Sequence, residues 1–306
     1  FFVESWWEVI FNPSFPYRLA HMFNASLLTA AFLIMGVSAW RAMRGVDGPA
    51  TWKVMRTGAL MAAVLAPLQV WIGDLHGLNT LEHQPAKVAA MGGHFETNTD
   101  GPMGLTLFGI PDMEAAEMDY AVTIPYLGSI ILTHSLDGVV QGLEAFPRED
   151  WAPVGIVFYT FRAMVGLGFL MLGIGLWSLW SRFRGTLYEN KWLQRATIAM
   201  GPSGFLAVLF GWVTTEVGRQ PFTVYGLLRT SESHSPIAAE AVGTSLIAFI
   251  VVYFLLFGAG TFYILRQMAK EPSPFDADTP PHHPIRTAGI TPAPSLERHP
   301  KPAPAE

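Results

Sequence analysis

The order of apolar and polar positions divides the chain into long apolar runs joined by polar links. Five runs are long enough to cross a bilayer as helices, which takes about 20 residues each. They cover residues 18–40, 55–72, 157–180, 196–215 and 237–265. A shorter apolar piece, AVTIPYLGSIIL from Ala121, contains Pro125, so we predict an interfacial or re-entrant segment there. The pattern predicts an all-α integral membrane protein with about five transmembrane helices.

Composition supports this class. The chain has 306 residues, of which 51% are hydrophobic and 14% charged, a balance that favours lipid-embedded helices over one soluble core. It contains no cysteine, which excludes disulfides and thiolate chemistry and leaves His, Met or carboxylates as metal ligands. The net charge of -5, with no basic stripe, gives no indication of nucleic-acid binding. Because the chain opens on Phe1 without a basic leader, we expect a fragment whose natural N-terminus is missing.

Basic residues in the short links predict the orientation. The links after the first and third runs carry Arg41, Arg44, Lys53, Arg56, Arg182, Arg184, Lys191 and Arg195, which should be cytoplasmic. The long polar segment, from Gly73 to Gly155, has only Lys87 and Arg148 as basic residues and should face outward. We therefore predict four regions: 1–72 with an outer N-terminal segment and two spans, 73–156 as an outer (periplasmic) loop, 157–265 with three spans, and 266–306 as a disordered cytoplasmic tail.

Two ionisable residues end the fourth run. In GWVTTEVGRQPF, residues 211–222, Glu216 and Arg219 stand one helical turn apart, and such residues at membrane depth usually mark a function. Gly218 and Pro221 predict that the helix ends there. Glu216 could ligate a haem iron, pair with Arg219 or carry protons, and the bland alternative is that both side chains snorkel to the headgroups.

A histidine and a methionine suggest a haem site. His21 lies near the outer end of the first span and Met164 near the outer end of the third, so their depths should agree within roughly 5 Å. Together they could ligate one low-spin electron-transfer haem. Arg18 shares a helix face with His21 and could meet a propionate, whereas Arg162 points to a different face from Met164. Alternatively, the histidine is hydrogen-bonded and the methionine is ordinary core packing.

The outer segment HGLNTLEHQPAKVAAMGGHFETN, residues 76–98, holds further polar candidates. The spacing of His76, His83 and His94 fits no tight metal motif, so we expect them to be solvated. Lys87, Glu96 and Gln84 could instead bind and deprotonate a hydroxylated headgroup. The later piece LFGIPD, residues 107–112, predicts a fixed turn.

Five motifs together resemble subunit I of the cytochrome bd family of quinol oxidases. They are GWVTTEVGRQPF, FRAMVGLGFLML at 161–172, the His21 segment with GVSAW at 36–40, QPAKVAAM in the loop, and LFGIPD. The short loop resembles the compact quinol-loop branch that includes cyanide-insensitive oxidases. The resemblance implies the C-terminal part of a nine-helix subunit with a long outer quinol loop.

The resemblance implies a function in the bacterial cytoplasmic (inner) membrane. Ubiquinol or menaquinol would be oxidised at the outer face and O2 reduced to water at a dihaem site, which generates proton motive force without pumping. The implied cofactors are a low-spin haem b558, haem b595, and haem d or a second high-spin haem b. The implied partners are oxidase subunit II and often a small single-span subunit.

Residue roles follow from the matched motifs. His21 and Met164 match the axial ligands of the low-spin haem, and Lys87 matches the quinol-binding lysine of the loop. The remaining matches are Arg18, Arg162 and Arg219 around the haem propionates, Glu216 as the carboxylate at the dihaem site, Trp212 as the aromatic beside it, and Asp74 as an acid just outside the second span.

This chain departs from the family pattern in two ways. Gly92 stands where the family usually has an acid, so Glu96 or His94 would have to take over quinol deprotonation; a pKa near neutral would make His94 usable. The spans that supply the histidine of the dihaem site should precede Phe1, so we expect the fragment alone to be inactive.

Two other function classes stay open at this point. The chain could be a haem-bearing electron-transfer subunit that does not reduce oxygen. It could also be a helical-bundle transporter that uses Glu216 and Arg219 as substrate contacts, although no internal repeat is visible.

Overall fold

The chain folds mainly into long helices. The computed structural model describes residues 3–46 and 48–270. Over these residues, five helical segments are long and apolar enough to cross a membrane, which confirms the predicted fold class. The helices are α1 (Trp6–Ile10), α2 (Phe15–Met43), α3 (Pro49–His83), α4 (Pro85–Gly92), α5 (Leu127–Thr133), α6 (Val154–Phe183), α7 (Lys191–Ala199), α8 (Ser203–Val217) and α9 (Ala239–Ala269). The fourth span consists of α7 and α8 together.

The second span is longer than its apolar run. Helix α3 continues to His83. The segment that connects α3 to α6, which we call the connecting segment, therefore covers residues 84–153 and does not begin at residue 73. The predicted loop position of His76 and His83 is therefore wrong, because both lie on α3. Pro67 lies inside the helix without ending it; the side chain of Asn24 on α2 donates to the nearby carbonyl of Leu65 at 3.0 Å. Hydropathy marks where lipid ends, whereas a helix can continue into water.

Close helix packing forms the core of the membrane bundle. Phe32, Met35 and Met55 are fully buried between α2 and α3. A Cβ added to Gly58 would lie 2.8 Å from the backbone oxygen of Ala31, so only glycine allows this approach. Gly175 allows the same close approach of α6 to α3. Such small residues hold membrane helices together because lipid gives no hydrophobic drive between them.

The connecting segment contains a β-hairpin. Strand β1 (Leu105–Asp112) pairs antiparallel with β2 (Glu117–Ile124). LFGIPD therefore lies in a strand, and the predicted turn there is wrong; the chain turns just afterwards, where the Asp112 carboxylate accepts hydrogen bonds from the N–H groups of Glu114 and Ala115. The segment from Ala121, predicted to be interfacial or re-entrant, forms the end of β2 and then α5, and its position relative to the membrane stays a prediction.

A small core closes the connecting segment onto α6. Phe95 and Leu143 from this segment pack against Val154, Val157 and Phe158 at the start of α6. The connecting segment thus shares a small folded core with the start of α6.

After α8, the short strands β3 (Phe222–Val224) and β4 (Leu228–Arg229) form a second hairpin.

Helix α9 contributes no buried residue, and its apolar side chains are exposed. The guanidinium of Arg41 on α2 donates to the backbone oxygen of Met268, near the end of α9, at 2.7 and 3.0 Å. The predicted tail, 266–306, begins within α9, and its part beyond 270 lies outside the described residues.

Candidate functional site

The imidazole of His21 lies at the end of α2 that meets the connecting segment. Its Nδ1 atom is buried and has no hydrogen-bond partner in the described residues. Gly73 on α3 faces the ring, since a Cβ there would lie 3.6 Å from its Cε1 atom. The ring of His76 stands beside it, with 5.3 Å between ring centroids. Buried polar atoms normally have partners, so the Nδ1 atom of His21 is available to a ligand.

A polar pair inside the bundle positions the backbone of His21. The amide of Gln69 on α3 donates to the backbone oxygen of His21 at 3.4 Å, and its own oxygen accepts from Asn24 at 2.6 Å. We did not single out Asn24 or Gln69 from the sequence. The signal was available, because both are uncharged polar residues inside apolar runs.

The thioether of Met164 packs against α8. A Cβ added to Gly211 would lie 2.8 Å from the Met164 sulfur, so glycine at 211 allows the sulfur its position. Helix α8 also contacts α2, where Gly204 meets Thr29. Helix α8, which leads into Gly218 and Arg219, therefore contacts both helices that carry the predicted haem ligands.

Glu216 and Arg219 form an ion pair at the end of α8. The Arg219 Nη2 atom lies 2.5 Å from a Glu216 oxygen, and both side chains are about two-fifths exposed. The Nε atom of Arg219 is nonetheless buried and unpartnered in the described residues. The helix ends at Val217 with Gly218 as its cap, which confirms the predicted helix end. Trp212 is 62% exposed and lies one turn before Glu216, on the same side of α8.

Lys87 is buried beside this pair, with only 6% of its surface exposed. Its stem packs on Gly218, where a Cβ would lie 3.3 Å from the Lys87 Cγ atom. Burial, together with the cations of Arg18 and Arg219, lowers the pKa of Lys87 to about 8, although Glu216 opposes the shift. The structure thus brings Lys87 of the connecting segment to the end of α8.

Arg162 on α6 holds the connecting segment. Its guanidinium donates to the backbone oxygens of Met91 at 2.5 Å and Gly92 at 3.2 Å, where α4 ends, and to that of Thr106 in β1. It also stacks over Phe158 at 3.7 Å. These acceptors are carbonyl groups, including those at a helix C-terminus, which favour a cation.

His94 and Glu96 have opposite environments. His94 is buried, and burial together with the nearby Arg162 lowers its pKa to about 4. Its ring lies where a side chain on Gly92 would be, because a Cβ at 92 would overlap the imidazole. Glu96, two residues on, is exposed.

The three histidines of the former loop prediction do not come together. His76 stands against His21, His83 bonds through Nδ1 to the backbone oxygen of Asn79 at 3.0 Å, and His94 is enclosed by the connecting segment. Asp74 forms an ion pair of 3.4 Å with His134, a residue that sequence reasoning missed. Both side chains are partly exposed, so the pair contributes little stability.

Comparison with known proteins now decides the family. Residues 1–272 match the family described as cytochrome bd terminal oxidase subunit I. The chain belongs to this family.

Individual relatives agree with that placement. The cytochrome bd ubiquinol oxidase subunit 1 of Bacillus subtilis (strain 168) is 33% identical over 273 residues, covering 86% of this chain and 58% of the relative. The cytochrome bd-II ubiquinol oxidase subunit 1 of Escherichia coli (strain K12) is 26% identical over 345 residues, covering 91% of this chain and 66% of the relative. The chain spans about three fifths of the length of the curated relatives it matches.

A solved structure matches the fold as well. The bd oxidase structure from Geobacillus thermodenitrificans superposes with a TM-score of 0.78 at 32% identity, covering 87% of this chain and 60% of that chain. The helical arrangement described above is therefore that of a cytochrome bd oxidase subunit I.

Proposed function

We propose that this chain acts within a cytochrome bd-type oxidase that oxidises quinol, passes the electrons through a low-spin haem b and reduces O2 to water at a dihaem site, without pumping protons. The observation that carries the proposal is the Nδ1 atom of His21, which is buried and unpartnered in the described residues. Its helix, α2, contacts α8, and α8 also packs against Met164. The names of two relatives, ubiquinol oxidase subunits, support the same reaction class.

The residues present fit a low-spin haem. His21 offers a ring nitrogen that no described residue uses, and Met164 offers a thioether held against Gly211. His21 and Met164 would hold the haem iron, and a low-spin haem held by these residues would supply reversible one-electron transfer. The unpartnered Nε of Arg219 and the exposed Arg18 are cations suited to propionates. Arg162 would add to this field from the side while it holds the connecting segment.

Lys87 and a nearby base would bind and deprotonate the quinol. The Lys87 ammonium, buried among Arg18, Arg219 and Glu216, would stabilise the oxyanion of a quinol that loses a proton. The proton would pass to Glu96 or His94, the two residues that could replace the acid absent at Gly92. Burial and Arg162 lower the pKa of His94 to about 4, which makes it a weaker base than an ordinary imidazole, whereas Glu96 is exposed to solvent.

Glu216 and Trp212 would belong to the dihaem site, where O2 is reduced. Both lie on a partly exposed face of α8, where further helices of the oxidase can pack. A carboxylate there can ligate the iron of a high-spin haem, b595 or d, or carry protons. The ion pair with Arg219 would then link the low-spin haem electrostatically to the dihaem site.

The remaining parts of the proposal concern context. Subunit II, and often a small single-span subunit, would cover exposed apolar surface such as that of α9. The protein would lie in the bacterial cytoplasmic membrane with the compact quinol loop periplasmic and the C-terminus cytoplasmic, as the basic links favour. The substrate would be ubiquinol or menaquinol.

Absorption spectra of the full-length subunit in its complex test the proposal. We expect His21→Ala and Met164→Ala each to abolish the low-spin b-type band in reduced-minus-oxidised spectra. His76→Ala is the matched control, since its ring adjoins His21 and should leave the band in place. Loss of the band in the control but not in His21→Ala would refute the ligand assignment.

Quinol-driven oxygen uptake then separates the alternatives. A complex that shows the haem band and consumes O2 with quinol is an oxidase. A haem-bearing electron-transfer subunit would keep the band without oxygen uptake, and a transporter would show no haem band at all.

A further inference from the structure

Three arginines lie stacked on tryptophans at one end of the helical bundle. The guanidinium of Arg44 stands 4.8 Å from the ring centroid of Trp40. Arg184 and Trp180 repeat the arrangement at 5.0 Å, and Arg195 and Trp192 at 5.2 Å. We call these six residues the basic rim. Each pair brings a permanent cation and an amphipathic ring to one position.

The three pairs share one end of the bundle. Trp40 and Arg44 lie at the end of α2, while the other two pairs flank the link between α6 and α7. The link between α6 and α7 meets the start of α3, because the rings of Trp52 on α3 and Tyr188 in that link are 4.9 Å apart. The basic rim therefore follows the edge of the bundle where the membrane helices end.

The rim arginines have cationic donors to spare. Arg44, Arg184 and Arg195 are exposed, and their guanidinium groups make no hydrogen bond or ion pair to any described residue. Trp180 and Trp192 are 60% and 70% exposed. Stacking on a ring occupies the face of a guanidinium and leaves its N–H edge open, and that edge matches a phosphate bidentately.

We propose that the basic rim binds the headgroup phosphates of anionic phospholipids. Indole rings prefer the headgroup level of a bilayer, so each tryptophan would sit at the depth where its arginine meets a phosphate. The charge balance favours anionic over zwitterionic lipid: the two links and the helix ends beside them carry eight Lys and Arg residues against two acids, Asp47 and Glu189. This binding is independent of the haem and quinol roles proposed above.

The test compares two triple variants of the complete oxidase complex in bilayers of phosphatidylcholine with phosphatidylglycerol. Spin-labelled phosphatidylglycerol and phosphatidylcholine report the selectivity for the anionic lipid. Arg44→Gln/Arg184→Gln/Arg195→Gln removes the stacked cations. Lys53→Gln/Arg56→Gln/Arg182→Gln removes the same charge from exposed residues at the same end that stack on no described ring.

We expect the rim variant to lose selectivity by about fivefold or more and the control variant by less than about twofold. Equal losses would overturn the proposal in favour of diffuse surface charge, and unchanged selectivity in both would overturn it outright. Melting temperature in pure phosphatidylcholine checks that both variants fold.

A second variant tests the role of stacking. Trp40→Leu/Trp180→Leu/Trp192→Leu keeps every cation but removes the rings, and we expect it to lose at least half of the selectivity. Full retention would refute the stacked geometry. If a triple variant fails to assemble, the three single arginine variants answer the same question, and each should lose part of the selectivity that its matched single control keeps.

Discussion

The imidazole of His94 occupies the space that any side chain at position 92 would need. A Cβ built on Gly92 would overlap the Cδ2 and Nε2 atoms of that ring. The backbone N–H of His94 donates to Ala89 at 2.9 Å, so the ring is held close to α4 by the turn that follows it. Glycine at 92 and histidine at 94 are thus two parts of one packing arrangement. Position 92 is the one at which the resemblance led us to expect an acid.

Gly92→Ala should destabilise the connecting segment by about 1–3 kcal/mol, because the added methyl group and the ring cannot both fit. His94→Ala in the same chain should recover most of that loss. Rates of proteolytic cleavage in the segment measure both effects. Gly77→Ala is the control, since a Cβ there would meet nothing within 4 Å. Additive effects of the two substitutions would contradict the shared space.

The connecting segment should lose stability as pH falls from about 6.5 to about 4. Burial lowers the pKa of His94 to about 4, so between these values the unfolded segment binds a proton that the folded one does not. His94→Gln should flatten this dependence, measured by hydrogen exchange of the segment across pH. His134→Gln, at an exposed histidine, should leave the dependence in place. A dependence that persists unchanged in His94→Gln would assign it to another group.

Quinol binding should weaken as pH rises through about 8, where the buried Lys87 loses its proton and its charge. Lys87→Gln should raise the KM for quinol roughly tenfold below that pH and remove the dependence, since one charged hydrogen bond contributes about 1.5–3 kcal/mol. Lys87→Arg keeps the cation and should move the decline to higher pH. The same decline in Lys87→Gln would show that another group titrates.

Arg162→Gln should release the connecting segment from α6. The substitution removes charged donors to the carbonyl groups of Met91, Gly92 and Thr106, which contribute about 1.5–3 kcal/mol each before compensation. We expect at least tenfold faster cleavage within the segment. Arg182→Gln, at the other end of the same helix, should not change cleavage. Equal cleavage in both variants would show that Arg162 does not anchor the segment.

Gly211→Ala should disturb the thioether position of Met164. The new methyl carbon would lie 2.8 Å from the sulfur, so the side chain must move away from α8. We expect the low-spin haem band to shift or lose intensity, as in Met164→Ala but less completely. Gly166→Ala on α6, where a Cβ meets nothing within 4 Å, should leave the spectrum unchanged. An unaltered band in Gly211→Ala would mean that the sulfur is not an iron ligand.

Part of the fold could be read from the chain because it depends on local pattern. The five spans follow from hydropathy and the helix end at Gly218 from breakers. The one-turn spacing of Glu216 and Arg219 made their ion pair one of the alternatives that the sequence offered. Errors concentrated in the predicted outer loop, residues 73–156, where α3 runs on to His83 and a hairpin replaces the predicted turn. Folding there depends on partners distant in sequence, which no local window contains.

The sequence by itself determined the class and the spans, and it supplied the candidate residues for haem and quinol chemistry. Only the tertiary structure decided that Lys87 is buried against Gly218, that Arg162 holds the connecting segment and that His94 fills the space over Gly92. The physical reason is that apolar length and side-chain type can be read directly from the sequence. Burial arises only when distant segments exclude water from the same place, and burial is what lowers the pKa of Lys87 and His94.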